Sequence, residues 1–124
     1  MDGMETCPCG GGAYRDCCGP LHEGKRSAQT PEKLMRSRYS AFAKGDPFYL
    51  ARTWHPRTRP DDVGLDADIR WTGLTISGSS DDGETGTVDF IAAYENQNGV
   101  GELREHSRFV RRAGRWVYVD GDQG

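Results

Sequence analysis

No stretch of this 124-residue chain approaches the ~18 consecutive apolar residues of a membrane-spanning helix. Its first residues, MDGMETC, lack the basic-then-apolar pattern of a secretory signal. Both absences point to a cytoplasmic protein that makes no membrane contact. Cysteine is missing beyond position 18, so no disulfide staples the rest of the fold. A strong excess of either charge is missing too, because Lys+Arg 16 against Asp+Glu 19 leaves a net charge of -3. Such a field does not draw in a polyanion, which disfavours nucleic acid as a partner. The local cluster Arg104, Arg108, Arg111, Arg112 and Arg115 reads as the solvated side of two antiparallel strands. Internal repeats and low-complexity tracts are also absent, and the length suits one main hydrophobic core.

What is present divides into two segments. Residues 1–29 contain all four cysteines and many glycines, without helical or strand periodicity, and read as a knuckle followed by a linker. Residues 30–124 read as a folded domain. Its first helix starts at Thr30, a good N-cap, with Pro31 at the first helical position and Glu32 favourable to the helix dipole. Leu34, Met35, Arg38, Tyr39, Ala41 and Phe42 recur at helical spacing until Gly45 stops the helix. Asp46-Pro47 repeats the start signal and predicts a second helix through Trp54, which Pro56 ends. A loop follows over 56–68, with room for another short helical turn.

From Ile69 the pattern becomes β-rich, with strands predicted at about 69–77, 86–95, 101–111 and 115–120. Asp82-Gly83, Asn98-Gly99 and Ala113-Gly114 mark the turns between them. Connections this short require antiparallel neighbours, hence a four-stranded meander. Helices first and an antiparallel sheet afterwards make an α+β domain, with the helices covering one face of the sheet.

Cys7-Pro8-Cys9 and Cys17-Cys18 supply four thiolates, the ligand number and type of a closed tetrahedral zinc site, and Gly10, Gly11 and Gly12 let the backbone turn tightly around an ion. Four protein ligands leave no open position for water, so the expected metal is one structural zinc per chain. A Cys17–Cys18 disulfide, four free thiols and an iron–sulfur site are the competing readings, and His22 is a candidate to replace one cysteine as ligand.

The run CPCGGGAYRDCCG resembles the SEC-C zinc motif, first known from the tail of a protein-translocation ATPase. The resemblance makes Cys7, Cys9, Cys17 and Cys18 the metal ligands and Tyr14 the aromatic within the loop. Further on, LMRSRYSAF (34–42), YLARTWHP (49–56), SRFVR (107–111) and RWVYVDG (115–121) resemble the bacterial YchJ family, in this order and across nearly the whole chain. That family implies a SEC-C knuckle joined to a cone-shaped NTF2-like (cystatin-like) α+β domain, with helices packed on a curved antiparallel sheet. It brings no established activity, and NTF2-like domains serve as enzymes, ligand binders and scaffolds alike.

In the run 102–110, alternation puts Leu103, Glu105, Ser107 and Phe109 on one face and Glu102, Arg104, His106, Arg108 and Val110 on the other. Glu105 on an apolar face requires a partner, and Arg38 on the apolar side of the first helix is the candidate. The pair reads either as a salt bridge locking helix to sheet or as part of a pocket completed by His55, Trp71 and Asp89. In the capping reading, His55 sits at the end of the second helix.

Two functions compete. The first is a protein-interaction adaptor whose knuckle presents Tyr14, Arg15 and His22 to a protein partner. The second is an NTF2-like small-molecule binder or enzyme working through the pocket. The adaptor ranks first because the cysteine chemistry is specific while no full set of acid, base and nucleophile is present, so enzyme status stays open. The sheet's open side is also a candidate surface for a homodimer.

Overall fold

The computed structural model describes residues 5–123; the outer ends of the two expected segments, residues 1–4 and 124, lie outside them. A 3-10 turn at Tyr14–Asp16 and a short helix α1 (Gly19–His22) precede helix α2 (Pro31–Lys44) and helix α3 (Pro47–Arg52). Four strands follow, β1 (Arg70–Asp81), β2 (Thr85–Asn96), β3 (Gly99–Arg112) and β4 (Arg115–Gln123). They pair in sequence order, every neighbour antiparallel. The α+β class and the meander are as the sequence predicts. No helix among the described residues is long and apolar enough to cross a membrane.

The helix starts follow from local chemistry. Thr30 accepts a hydrogen bond from the Lys33 amide and Asp46 accepts one from the Tyr49 amide, each satisfying a donor that the first turn leaves unpaired. Gly45, in the left-handed conformation, ends α2. Helix α3 stops earlier than predicted, at Arg52 rather than beyond Trp54. The Thr53 hydroxyl bonds the Tyr49 carbonyl, and the backbone of 53–55 turns to β4. There the Tyr118 amide donates to Thr53 O and the His55 amide to Tyr118 O. Residues 56–68 hold hydrogen-bonded turns on His55 O but no further helix.

Register shifts in β1, between Trp71 and Gly73 and between Ile76 and Gly78, and in β4 opposite Arg108 and Phe109, each add a residue to one strand. Such bulges bend a sheet and increase its twist, so the sheet curls around α2. Val88, Phe90, Ala92, Phe109 and Trp116 on the inner face meet Leu34, Met35 and Tyr39 of α2.

The cysteine segment does not stand apart from this core. Cys7, Cys9 and Cys18 are buried in the same cluster as Leu34, Tyr39 and Phe109. Polar contacts fasten it, among them Arg36 Nη1 to Cys9 O at 3.0 Å, His22 Nε2 to Ser37 O at 2.8 Å, and Arg52 Nη2 to the carbonyls of Leu21 and His22.

Candidate metal centre and pocket

The tight turn at Gly10–Gly12 and the bend into α1 bring the four sulfurs together, all within 4.8 Å of one another. Cys9 Sγ lies 3.5 Å from Cys17 Sγ and 3.8 Å from Cys18 Sγ, and Cys17 Sγ lies 4.0 Å from Cys18 Sγ. A tetrahedral ion with metal–sulfur bonds of about 2.3 Å has edges of about 3.8 Å, so the spacing suits a single cation. All four cysteines are free thiols, the neighbouring Cys17 and Cys18 included. The backbone must come very close here, because a Cβ on Gly11 would stand 2.7 Å from Cys17 Sγ.

The four thiols also perturb one another's ionisation. Hydrogen bonds from Cys18 and Cys9 hold the Cys7 thiol far below its ordinary pKa. Burial, with the neighbouring sulfurs, pushes Cys17 up to about 12, and the hydrogen bonds that favour Cys7 drive Cys18 upward. Without a positive ion, crowding allows thiolate character on one sulfur at the expense of its neighbours. Behind the sulfurs stands Ser40, fully buried on α2, its hydroxyl 3.4 Å from Cys7 Sγ and 3.3 Å from Cys18 Sγ. Sequence reasoning missed Ser40. The signal was the pair Ser37 and Ser40, three apart on one helix face, where polar residues need partners.

His22 is not a ligand. A carbonyl only accepts, so Nε2 carries a proton toward Ser37 O, and Nδ1 is engaged by the Tyr14 hydroxyl at 2.6 Å. Both residues are therefore half-buried and tied to their own chain, and of the expected partner surface only Arg15 is exposed. Tyr14 is pushed up to about 12, mainly by burial.

A groove of about 590 Å³ runs beside the cluster, between the Cys17–Cys18 turn, residues 26–30 and the first turns of α2. Cys17, alone of the four not fully buried, lies in its wall. Arg26, Lys33 and Arg36 line it against Asp16 and Glu32.

A second cavity, about 220 Å³, lies between α2 and the curled sheet, and Arg38, Trp71 and Glu105 all line it. Arg38 and Glu105 do not form the expected direct pair. Arg38 Nη1 instead donates to Leu50 O at 2.9 Å and to Thr53 Oγ1 at 2.7 Å, at the C-terminal end of α3, where the dipole favours a cation. Its guanidinium stacks 4.9 Å from the Trp54 ring and 4.6 Å from the Tyr118 ring. Burial lowers Arg38 to about 10, which leaves it cationic at neutral pH. Glu105 accepts from Ser107 Oγ at 2.5 Å and Tyr118 OH at 3.1 Å. Burial, followed by this carboxylate, pushes the Tyr118 phenol upward.

Asp89 and His55 are not in the cavity. Val88, Phe90 and Ala92 take the inner face of β2, so Asp89 points to the outer face, where it meets His106 Nδ1 at 2.7 Å. His55 follows Trp54 out of the helix, and its Nδ1 accepts from the Arg57 amide. On the same outer face Arg108 pairs with Asp120 and Asp122, and Arg104 with Glu102, so acids from the sheet itself answer part of the arginine cluster.

Residues 30–121 match the family described as YchJ, middle NTF2-like domain. A UPF0225 protein of Streptomyces coelicolor is 52% identical over 120 residues, covering 94% of this chain and 94% of its own. One from Deinococcus radiodurans is 47% identical over 119 residues, covering 94% of this chain and 88% of its own. Among solved structures, a SEC-C motif containing protein from Rhodopseudomonas palustris superposes with a TM-score of 0.85 at 39% identity, covering 94% of this chain and 97% of that one. A second, from Psychrobacter arcticus, gives 0.82 at 28% identity, covering 96% and 82%.

Proposed function

The chain belongs to the UPF0225 family and carries its YchJ-type NTF2-like domain, and from that premise we propose that it is a zinc-binding interaction module. Cys7, Cys9, Cys17 and Cys18 hold one zinc, which the thiolate donor set and the sulfur spacing favour. The ion's role is structural: it fixes the Cys17–Cys18 turn against α2 and so builds one wall of the groove. Four free thiols also suit a reducing compartment, which supports a cytoplasmic location.

The observation that carries the adaptor reading is the groove itself, made jointly by the cysteine turn and α2. Arg26, Lys33 and Arg36 outnumber Asp16 and Glu32 there, so an acidic segment of a protein partner suits it. Arg36 is committed to Glu32 Oε2 at 3.0 Å, leaving Arg26 and Lys33 to meet the partner. The capture surface accordingly shifts from Tyr14, Arg15 and His22 to Arg26 and Lys33. The self-paired charges on the outer sheet face give little support to a homodimer through that face.

Two measurements test this. Elemental analysis of anaerobically purified protein gives one zinc per chain, and iron or no metal overturns the zinc assignment. The doubly reversed variant Arg26→Glu, Lys33→Glu keeps its zinc and loses a partner that crosslinks to the wild type and is identified by mass spectrometry. Retention of that partner overturns the groove as the docking site.

A further inference from the structure

We propose that the cavity between α2 and the sheet is a binding site for a small aromatic monocarboxylic acid bearing a hydrogen-bond donor at its far end. The site does not depend on the adaptor groove; it is on the other side of α2 and shares no lining residue with it.

Size comes first. A cavity of ~150 Å³ takes benzene, so the 220 Å³ here suits a molecule of roughly nine to twelve non-hydrogen atoms. Shape follows from the walls. Trp54, Trp71, Tyr39, Phe42, Phe90 and Tyr118 offer ring faces and edges, which favour a flat ligand. Phe42 and Trp71 are half-buried, so the cavity is in reach of solvent.

The polar groups then fix orientation. Arg38 is only 3% exposed, and no carboxylate among the described residues lies within ion-pair distance of it. Its two hydrogen bonds use Nη1, leaving the N–H groups of Nε and Nη2 without a protein partner among the described residues. Trp54 Nε1, also on a lining side chain, is buried with no partner among the described residues. A buried donor left unpaired, as at Trp54 Nε1, is costly, and the guanidinium fork of Arg38 matches a carboxylate.

Glu105 decides the other end. Both of its hydrogen bonds fall on Oε1, so Oε2 is open to a donor. Tyr118 spaces the two charges, its ring against Arg38 and its hydroxyl on Glu105. An anion therefore belongs at the Arg38 end, while a second anion would meet Glu105. The chemistry selects a monoacid with a hydroxyl or amino group opposite, and rejects a diacid.

The test uses zinc-loaded full-length protein and three probes of one shape: 4-hydroxybenzoate, 4-hydroxybenzamide and terephthalate. Binding is read by tryptophan fluorescence, since Trp54 and Trp71 line the site, and by ligand-observed NMR. The expected order is 4-hydroxybenzoate first, with the amide and the diacid each about 10- to 100-fold weaker, the range of one charge-assisted hydrogen bond. Arg38→Met removes the preference for acid over amide. Because Arg38 is buried and that variant is at risk of not folding, Leu103→Trp supplies a second arm: it fills the cavity from β3 and abolishes binding while melting temperature and zinc content hold. Absence of 4-hydroxybenzoate binding to folded wild type at millimolar concentration, equal affinity for acid and amide, tight binding of terephthalate, or unchanged binding in Leu103→Trp would each overturn the proposal.

Discussion

Tyr14 reaches Nδ1 of His22 across 2.6 Å, and this contact turns the loop of the cysteine segment into a brace for α1. The ring of His22 also packs 4.6 Å from that of Tyr49 on α3. One histidine thus joins the cysteine segment, Ser37 on α2 and α3, although its position four residues after Cys18 suggests a ligand. Tyr14→Phe deletes the phenol and leaves Nδ1 without its donor. The expected cost is about 0.5–1.5 kcal/mol by urea melting, with zinc content unchanged. Loss of metal from this variant would mean that Tyr14 acts on the cluster itself.

Metal removal should be felt well beyond the cysteines. Cys7, Cys9 and Cys18 pack in one cluster with Leu34, Tyr39 and Phe109, so loosening the first segment uncovers the core of the second. Zinc binding in finger peptides supplies about 10–16 kcal/mol at neutral pH, and part of that here stabilises a shared core. Chelation, or Cys9→Ser, is expected to lower the melting temperature of the whole domain by roughly 10 °C or more, at about 4 °C per kcal/mol. Hydrogen exchange should quicken in α2 as well as in residues 5–24. Exchange confined to residues 5–24 would show instead that the sheet domain is independent.

Much of this architecture is legible from local chemistry, and the failures share a cause. Thr30-Pro31 and Asp46-Pro47 are self-contained start signals, and both caps form. Alternation in β3 correctly sets Leu103, Glu105, Ser107 and Phe109 on the inner face. What local pattern does not carry is competition among distant partners. Arg38 and Glu105 do line one cavity, yet the carbonyl of Leu50 at the end of α3 holds the guanidinium. Asp89 finds His106 on the neighbouring strand, and Tyr14 and His22 are taken up where the cysteine segment docks on α2. The four cysteines were readable because their spacing alone brings them together, whereas Ser40 behind them was not.

Ala113 is a strained position with a simple remedy. It adopts φ 53° beside Gly114 at φ 80° in the two-residue turn between β3 and β4. Two positive φ values are what the right-handed twist of a hairpin favours, but Ala in that conformation costs about 1 kcal/mol. Ala113→Asn creates an Asn-Gly turn and should stabilise the protein by about 0.5–1 kcal/mol in thermal or urea melts. A destabilised variant would show that the Ala113 methyl makes contacts outweighing its strain.

Gly121 holds Glu105 in place by having no side chain. A Cβ at this position would fall within 2.5 Å of the Glu105 carboxyl group. Gly121→Ala should therefore displace Glu105 and break its bonds to Ser107 and Tyr118, costing about 1–3 kcal/mol. The same change in a Glu105→Ala background should cost much less. Equal losses in the two backgrounds would place the strain in the backbone rather than in the carboxylate.

The separation of Arg38 from Glu105 gives an asymmetry that a salt bridge would not. A direct buried pair would lose about 3–5 kcal/mol when either partner is removed, since each removal strands the other charge. Here the two groups share Tyr118 as a neighbour but no hydrogen bond joins them. Arg38→Met leaves Leu50 O only the long 3.4 Å bond from the Thr53 hydroxyl and removes the cation stacked between Trp54 and Tyr118, so a loss of about 2–4 kcal/mol is expected. Glu105→Gln keeps an oxygen to accept from Ser107 and Tyr118, and a loss of about 1 kcal/mol or less is expected. In a double-mutant cycle the coupling between the two changes should stay at about 0.5–1 kcal/mol, because they share Tyr118 but no hydrogen bond joins them. Urea melts of the four proteins decide the matter. A coupling above about 2 kcal/mol would show that the two charges close on each other in solution, shutting the cavity between them.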